Sequence, residues 1–194
     1  MTEGNNKFTI VFIKPDAIND GLVDQIMRDF AEAGLASVFC KPLELNWDQA
    51  LFIYRDHLDN PNYRFAVKSL TEEEGCKTSL FFLLKRDAGD ALKTAQEVKG
   101  RADRSGVRAK YRRYLWTELQ ERGITGDELE TMLSRNRVHV SDSDNHVCYI
   151  LGMLIDDLEL RQLIKIDPEL VGFIEGCGRD GSEFEGGKNN KERL

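Results

Sequence analysis

Short apolar runs that read as strands alternate with amphipathic runs that read as helices, which predicts a sandwich of the α/β or α+β class. The connection lengths fit a β-α-β-β-α-β, ferredoxin-like order with extra helices inserted. The chain has 194 residues, 41% of them hydrophobic, enough for one domain with a sizeable core and appendages. We assign 1–175 to a single domain, with an inserted helical segment over about 109–135. The glycine-rich, polar stretch 176–194 reads as a flexible tail.

A first strand is expected over 8–13, running into Lys14-Pro15-Asp16, where Pro15 turns the chain out of the strand. A helix over 21–33 follows, with Leu22, Val23, Ile26, Met27 and Phe30 at helical spacing, Asn19 or Asp20 as cap, and Gly34 at its end. The next strand, over 36–45, contains Pro42, which assigns part of it to an edge or bulge. Asn46 and Gln49 have capping-box spacing for a helix that carries Leu51 and Tyr54 and ends near His57. A loop over 58–62 leads to a short helix over 63–70. The unbroken apolar run 80–84 reads as a strand buried on both faces, followed by a helix over 88–98.

One helix is expected over 107–122, with Val107, Tyr111, Tyr114, Leu115 and Leu119 along one face and Gly123 at its end. Thr125 and Glu128 have capping-box spacing for another, with Leu129, Met132 and Leu133 inward. A short strand then presents His139. The helix after it, capped by Ser141 or Asp142, buries Val147, Ile150, Leu151 and Leu154, and an amphipathic piece covers 156–166.

The net charge of −7 argues against a surface built for nucleic acid. Four widely spaced cysteines lack zinc-site spacing, and Cys40 and Cys148 read as small core residues, which suits a reducing, cytoplasmic setting. Residues 1–7 are polar and unlike a signal peptide, and no apolar run approaches the ~20 residues of a membrane helix. Between 99 and 113, however, seven basic residues face the single acid Asp103. Such a cluster calls for an anionic partner: a phosphate group or, against the global acidity, nucleic acid.

Three residues point to phosphate chemistry. Val138 and Val140 flank His139 and must face the opposite side of the sheet. A rigidly held neutral imidazole is a competent nucleophile, and the helix N-terminus beside it favours anions. Lys14, at a strand end, can neutralise phosphoryl oxygens, and Arg108 suits bidentate phosphate contact. A helical tyrosine such as Tyr54 is more often core than catalytic, and His57 and His146 carry no assigned role.

Together these motifs resemble the nucleoside diphosphate kinase family. The resemblance rests on Lys14-Pro15-Asp16, Gly21-Leu22-Val23, Tyr54, Asp59-Asn60-Pro61 and Asn136-x-x-His139-x-Ser141-Asp142-Ser143, and it is clearest over 8–70 and 136–154. It implies an α+β ferredoxin-like sandwich with an antiparallel sheet, a homo-oligomer, and Mg²⁺ bridging the nucleotide phosphates. It also implies a ping-pong reaction: ATP or another NTP phosphorylates His139, and an NDP takes the phosphate away. By the same match Lys14 contacts the sugar hydroxyl and transferring phosphate, Tyr54 lies close to His139, Asn136 binds the ribose, and Ser141 supports the site from behind. Arg108 grips the other phosphates, with Arg101 or Arg104 as alternatives. Tyr63 stands in for the base-stacking aromatic that Asn62 replaces.

Three departures qualify the match. Val140 stands where the family has glycine or alanine, and Ile150 where it has a glutamate that orients the histidine. The stretch between Arg108 and Asn136 is also much longer than usual. These departures keep open a second expectation, a catalytically impaired nucleotide-binding or regulatory module of the same fold.

Overall fold

The computed structural model describes residues 6–101 and 105–177. Strands β1 (Phe8–Ile13), β2 (Ala36–Glu44), β3 (Thr78–Lys85) and β4 (Val138–Val140) form one antiparallel sheet in the order β2-β3-β1-β4. This is the strand order of the ferredoxin-like fold, so the α+β alternative holds. Every residue of β1 is buried, because its alternate side chains feed cores on both faces. Phe8, Ile10 and Phe12 enter one core with Phe81 and Leu83, while Val11 and Ile13 enter the other with Phe82 and Leu84.

The second of these cores lies under α1 (Pro15–Asn19), α2 (Val23–Glu32), α5 (Ala91–Lys99) and α6 (Gly106–Lys110), through residues such as Ala17, Ile26, Ala95 and Val107. The first is covered by α3 (Trp47–Ile53), α4 (Tyr63–Thr71), α9 (Asp144–Leu154), α10 (Asp157–Ile166) and α11 (Glu169–Cys177). Asn46 and Gln49 form the expected capping box, with bonds of 2.9 and 3.0 Å. Gly34, at φ +83°, closes the turn after α2. β2 is an edge strand, but its irregularity falls between Ser37 and Phe39 rather than at Pro42.

Several local expectations are corrected. The stretch 21–33 does not start at Gly21: α1 comes first, and α2 begins after Leu22. The single helix over 107–122 is two pieces, α6 and α7 (Trp116–Glu121), because the chain leaves helical geometry after Tyr111. α8 (Gly126–Ser134) begins after Thr125, whose side chain makes no capping bond, and it buries none of its own residues fully. The cap of α9 is Ser143, which accepts the His146 amide, rather than Ser141 or Asp142. Cys40 is exposed on β2, and Cys148 is joined in a disulfide to Cys177, tying α9 to α11. Neither is the buried free thiol expected. The expected tail over 176–194 starts too early: Gly176 and Cys177 belong to α11, with Cys177 bonded to Cys148, and the remainder lies outside the described residues.

Candidate active site

The sheet brings the two informative motifs side by side. β1 and β4 are neighbours with Phe12 opposite His139, and the Lys14 amide extends the ladder by donating to the Arg137 carbonyl at 2.9 Å. Arg137 has φ +74°, an unfavourable conformation for a side chain of its size, and it is held there by its guanidinium. That group donates to Tyr111 O at 2.6 Å and Asp16 O at 3.0 Å, and pairs with Asp20 at 2.7 Å and Asp16 at 3.4 Å. The turn before His139 is thereby clamped to the turn after Lys14.

Val138 and Val140 fall in the core opposite to the His139 ring, so the extra bulk of Val140 points away from the imidazole. Ser141 sits behind it, fully buried, with Oγ 3.2 Å from Thr9 Oγ1 and within 3.4 Å of the Ile10 amide. It anchors β4 to β1.

His139 is only 2% exposed. Its ring lies 4.6 Å from Tyr54, 6.1 Å from Phe12 and 6.2 Å from His146, centroid to centroid. Burial, then the neighbouring charge of His146, Lys99, Arg108 and Lys14, holds its pKa well below the usual histidine value. The imidazole is therefore neutral at pH 7, and its Nε2 is enclosed without a hydrogen-bond partner. Ile150 is buried in the apolar core and offers the ring no carboxylate.

Tyr54 is also buried, its hydroxyl has no partner, and burial pushes its pKa up, so it remains a proton donor. Lys14 Nζ is 5.9 Å from the centre of the Tyr54 ring and donates to Ser69 Oγ at 2.8 Å and Ser134 O at 3.1 Å. Burial, reinforced by Arg108, lowers its pKa to about 7. Arg108 donates through Nε and Nη2 to Val138 O at 3.3 and 2.9 Å, one residue from the histidine. Lys99, whose pKa burial and Arg108 lower to about 8, joins this ring of cations.

Arg108 stands between two openings. One, of about 570 Å³, is walled largely by the inserted segment, including Arg112, Tyr114, Trp116 and Leu133, and reaches Asn136. The other, of about 680 Å³, is lined by Lys99, Arg101, Ser105 and Arg108. The basic cluster therefore does not form one patch. Lys110 pairs with Asp29 and Arg113 with Glu74, while Lys99 and Arg108 turn toward the histidine. Arg104 lies outside the described residues. Tyr63 packs against the apolar core at the start of α4, and Asn62 is exposed beside it.

With this geometry in place, comparison with known proteins decides the family. The model of the family described as "Nucleoside diphosphate kinase" matches residues 7–159. The chain belongs to the nucleoside diphosphate kinase family. A nucleoside diphosphate kinase of Natronomonas pharaonis is 26% identical over 160 residues, which cover 82% of this chain and 92% of the relative. Nucleoside diphosphate kinase 1 of Protochlamydia amoebophila is 27% identical over 135 residues, 70% of this chain and 82% of the relative. Two nucleoside diphosphate kinase structures share the fold. The Encephalitozoon cuniculi protein has a TM-score of 0.58 at 21% identity, covering 79% of this chain and 91% of its own. The enzyme of Borrelia burgdorferi, solved with vanadate and ADP, has a TM-score of 0.57 at 17% identity, covering 79% and 89%.

Within this nucleoside diphosphate kinase fold, sequence reasoning missed the company His139 keeps. All three histidines of the chain gather near Asp142. His57 Nε2 is 2.9 Å from Asp142 Oδ2, and His146 Nδ1 accepts the Asp142 amide at 3.2 Å. The i, i+4 spacing of Asp142 and His146 was the available signal. His57 gave none, being 85 residues from its partner. Among the described residues, His139, Asp142 and His146 are also the one group able to hold a metal ion. Its nitrogen donors do not suit Mg²⁺, which prefers an all-oxygen shell. Among the described residues, no helix is long and apolar enough to cross a membrane.

Proposed function

We propose that the protein is a nucleoside diphosphate kinase that carries the phosphate on His139. The observation supporting this most is the convergence of a buried neutral imidazole, a protonated Tyr54 hydroxyl without a partner, and Lys14, Arg108 and Lys99 around one point. In the first half-reaction a lone pair of His139 attacks the γ-phosphorus of an NTP. The N–P bond forms as the bond to the β–γ bridging oxygen breaks, and the NDP leaves with that electron pair. An NDP then attacks the phosphohistidine, an NTP departs, and the imidazole is restored.

Lys14 and Arg108 meet the charge that spreads over the phosphoryl oxygens, and Tyr54 donates its unused proton to one of them. A phosphate that draws Arg108 off the Val138 carbonyl opens the path from the cavity to the imidazole. Asn136, with a buried Oδ1 lacking a partner, faces the ribose, while Tyr114 and Trp116 of the inserted segment offer the base its apolar surface. Tyr63, set in the core wall, plays a smaller part, and Ser141 acts through β4. Mg²⁺ arrives on the nucleotide phosphates and neutralises part of their charge. We also place the protein in the cytoplasm, as an oligomer. The Cys148–Cys177 bond is the feature that runs against that location.

Incubation with γ-labelled ATP and Mg²⁺ should label the protein through an acid-labile bond, and added NDP should remove the label as NTP. Failure of wild-type protein to take up label contradicts the reading.

A second reading has its own support: His139 is enclosed, and Ile150 supplies no carboxylate to orient it. A module that binds nucleotide without turning it over would show NDP binding by calorimetry and no exchange of phosphate.

A further inference from the structure

We propose that His139, Asp142 and His146 form a binding site for a borderline-soft divalent transition ion of the Zn²⁺ class. One ring nitrogen of each histidine and one carboxylate oxygen of Asp142 lie within 4.8 Å of one another. A tetrahedral Zn²⁺ with ligand bonds near 2.1 Å needs its donors about 3.4 Å apart, so small side-chain rotations complete the shell. The three donors come from one short stretch: His139 on β4, Asp142 in the turn after it, and His146 in the first turn of α9.

Two further features favour a ligand over a packed cluster. Both histidines are buried, and His139 Nε2 is enclosed without a hydrogen-bond partner, while His146 offers Nδ1, 3.8 Å from Asp142 Oδ2, once it gives up the Asp142 amide. Buried polar atoms left unsatisfied are uncommon and ask for an occupant. Asp142 is partly open to solvent, so the cluster is not sealed from outside. His57, exposed and 2.9 Å from Asp142 Oδ2, is placed to steady that carboxylate from outside or to swing in as a fourth ligand. The imidazole–carboxylate donor set selects Zn²⁺, Co²⁺ or Ni²⁺ over Mg²⁺.

The site carries a consequence that rests on the reading of His139 as phosphate carrier. A neutral imidazole has one free lone pair. Once that pair is on a metal, the other nitrogen holds the proton and nothing remains to attack phosphorus. Metal binding and phosphorylation of His139 then exclude each other, and by linkage each weakens the other equally.

The test uses the full chain, stripped of metal by a chelator, titrated with Co²⁺ and with Zn²⁺ in the absence of nucleotide. We expect one saturable site per chain and the visible absorption of Co²⁺ in a nitrogen–oxygen shell of low coordination number, displaced by Zn²⁺. His146→Gln and Asp142→Asn should each weaken binding at least tenfold. In wild-type protein Zn²⁺ should shift the ring NMR signals of His139 and His146. The shift is readable because the chain has only three histidines, and it stands even where a variant fails to fold. No saturable binding, unchanged affinity in both variants, or perturbation of His57 alone would overturn the site. None of these readouts requires phosphotransfer, so loss of the kinase reading leaves the site standing, and the reverse.

Discussion

The rings of Tyr54 and His139 stand 4.6 Å apart, and the Tyr54 hydroxyl has no hydrogen-bond partner within the protein. A buried hydroxyl that finds no partner at rest is available to a phosphoryl oxygen when one arrives. A hydrogen bond to a charged group contributes about 1.5–3 kcal/mol, so Tyr54→Phe should slow phosphorylation of His139 roughly 10- to 100-fold. Removing an unsatisfied group should leave folding stability unchanged or slightly raised. Single-turnover kinetics and a denaturation curve on the same variant check both halves.

Lys14 sets a pH dependence. Its ammonium form, the one that grips phosphate, is lost as pH rises through about 7, and Lys99 follows at about 8. His139 is held well below its usual value and stays neutral across that range. Single-turnover kcat/KM for phosphorylation should therefore level off about a unit below pH 7, bend near 7 and fall above it. Lys14→Met should be slower throughout and lose the bend near 7. The same shift affects stability: above pH 7 the unfolded chain holds the Lys14 proton more firmly than the folded one. Lys14 thus makes the protein more stable as pH rises from 7 toward 10.5, and Lys14→Met removes that increment.

Arg108 is tied to the Val138 carbonyl by two of its nitrogens while it borders both cavities. Lysine cannot reproduce that fork. Arg108→Lys should weaken NDP binding about tenfold by calorimetry, and Arg108→Ala more. Substitution of Arg112, which lines the same cavity, tests the role of the inserted segment independently.

Arg137 and Asp16 form a buried ion pair at 3.4 Å, with Arg137 3% exposed and Asp16 fully enclosed. Breaking one side of such a pair leaves an uncompensated charge, so Arg137→Met should cost about 3–5 kcal/mol in urea unfolding. Asp16→Asn added to it should recover part of the loss, because the stranded carboxylate is gone. Arg137→Gly separates the other contribution, since glycine relieves the strain at φ +74° while losing the same ion pair.

What was legible in the sequence follows the range of the interactions involved. β1, the Asn46–Gln49 box, the buried β3 and the strand of His139 are local patterns, and they fall where expected. The break between α6 and α7 was hidden, because Tyr111 and Leu115 keep helical spacing across a stretch that is not helical. Ser143 took the cap from Ser141 because β4 needs the Ser141 amide for Ile10 O. Lys14, Tyr54, Arg108 and His139 lie near one another although they are far apart in the chain. The contacts of His57 with Asp142 and of Lys99 with the site join distant segments and leave no periodic trace. The disulfide of Cys148 and Cys177 was equally silent, 29 residues apart on helices whose docking no local rule sets.

The central claim is that His139 carries the phosphate. Its most direct measurement is the mapping of phosphate in wild-type protein after brief exposure to MgATP, by mass spectrometry under alkaline handling, alongside His139→Gln. The account predicts a single phosphorylated histidine, at His139, that disappears on addition of NDP and is absent in the variant. Phosphate on another residue, or NTP–NDP exchange that persists in His139→Gln, would contradict it.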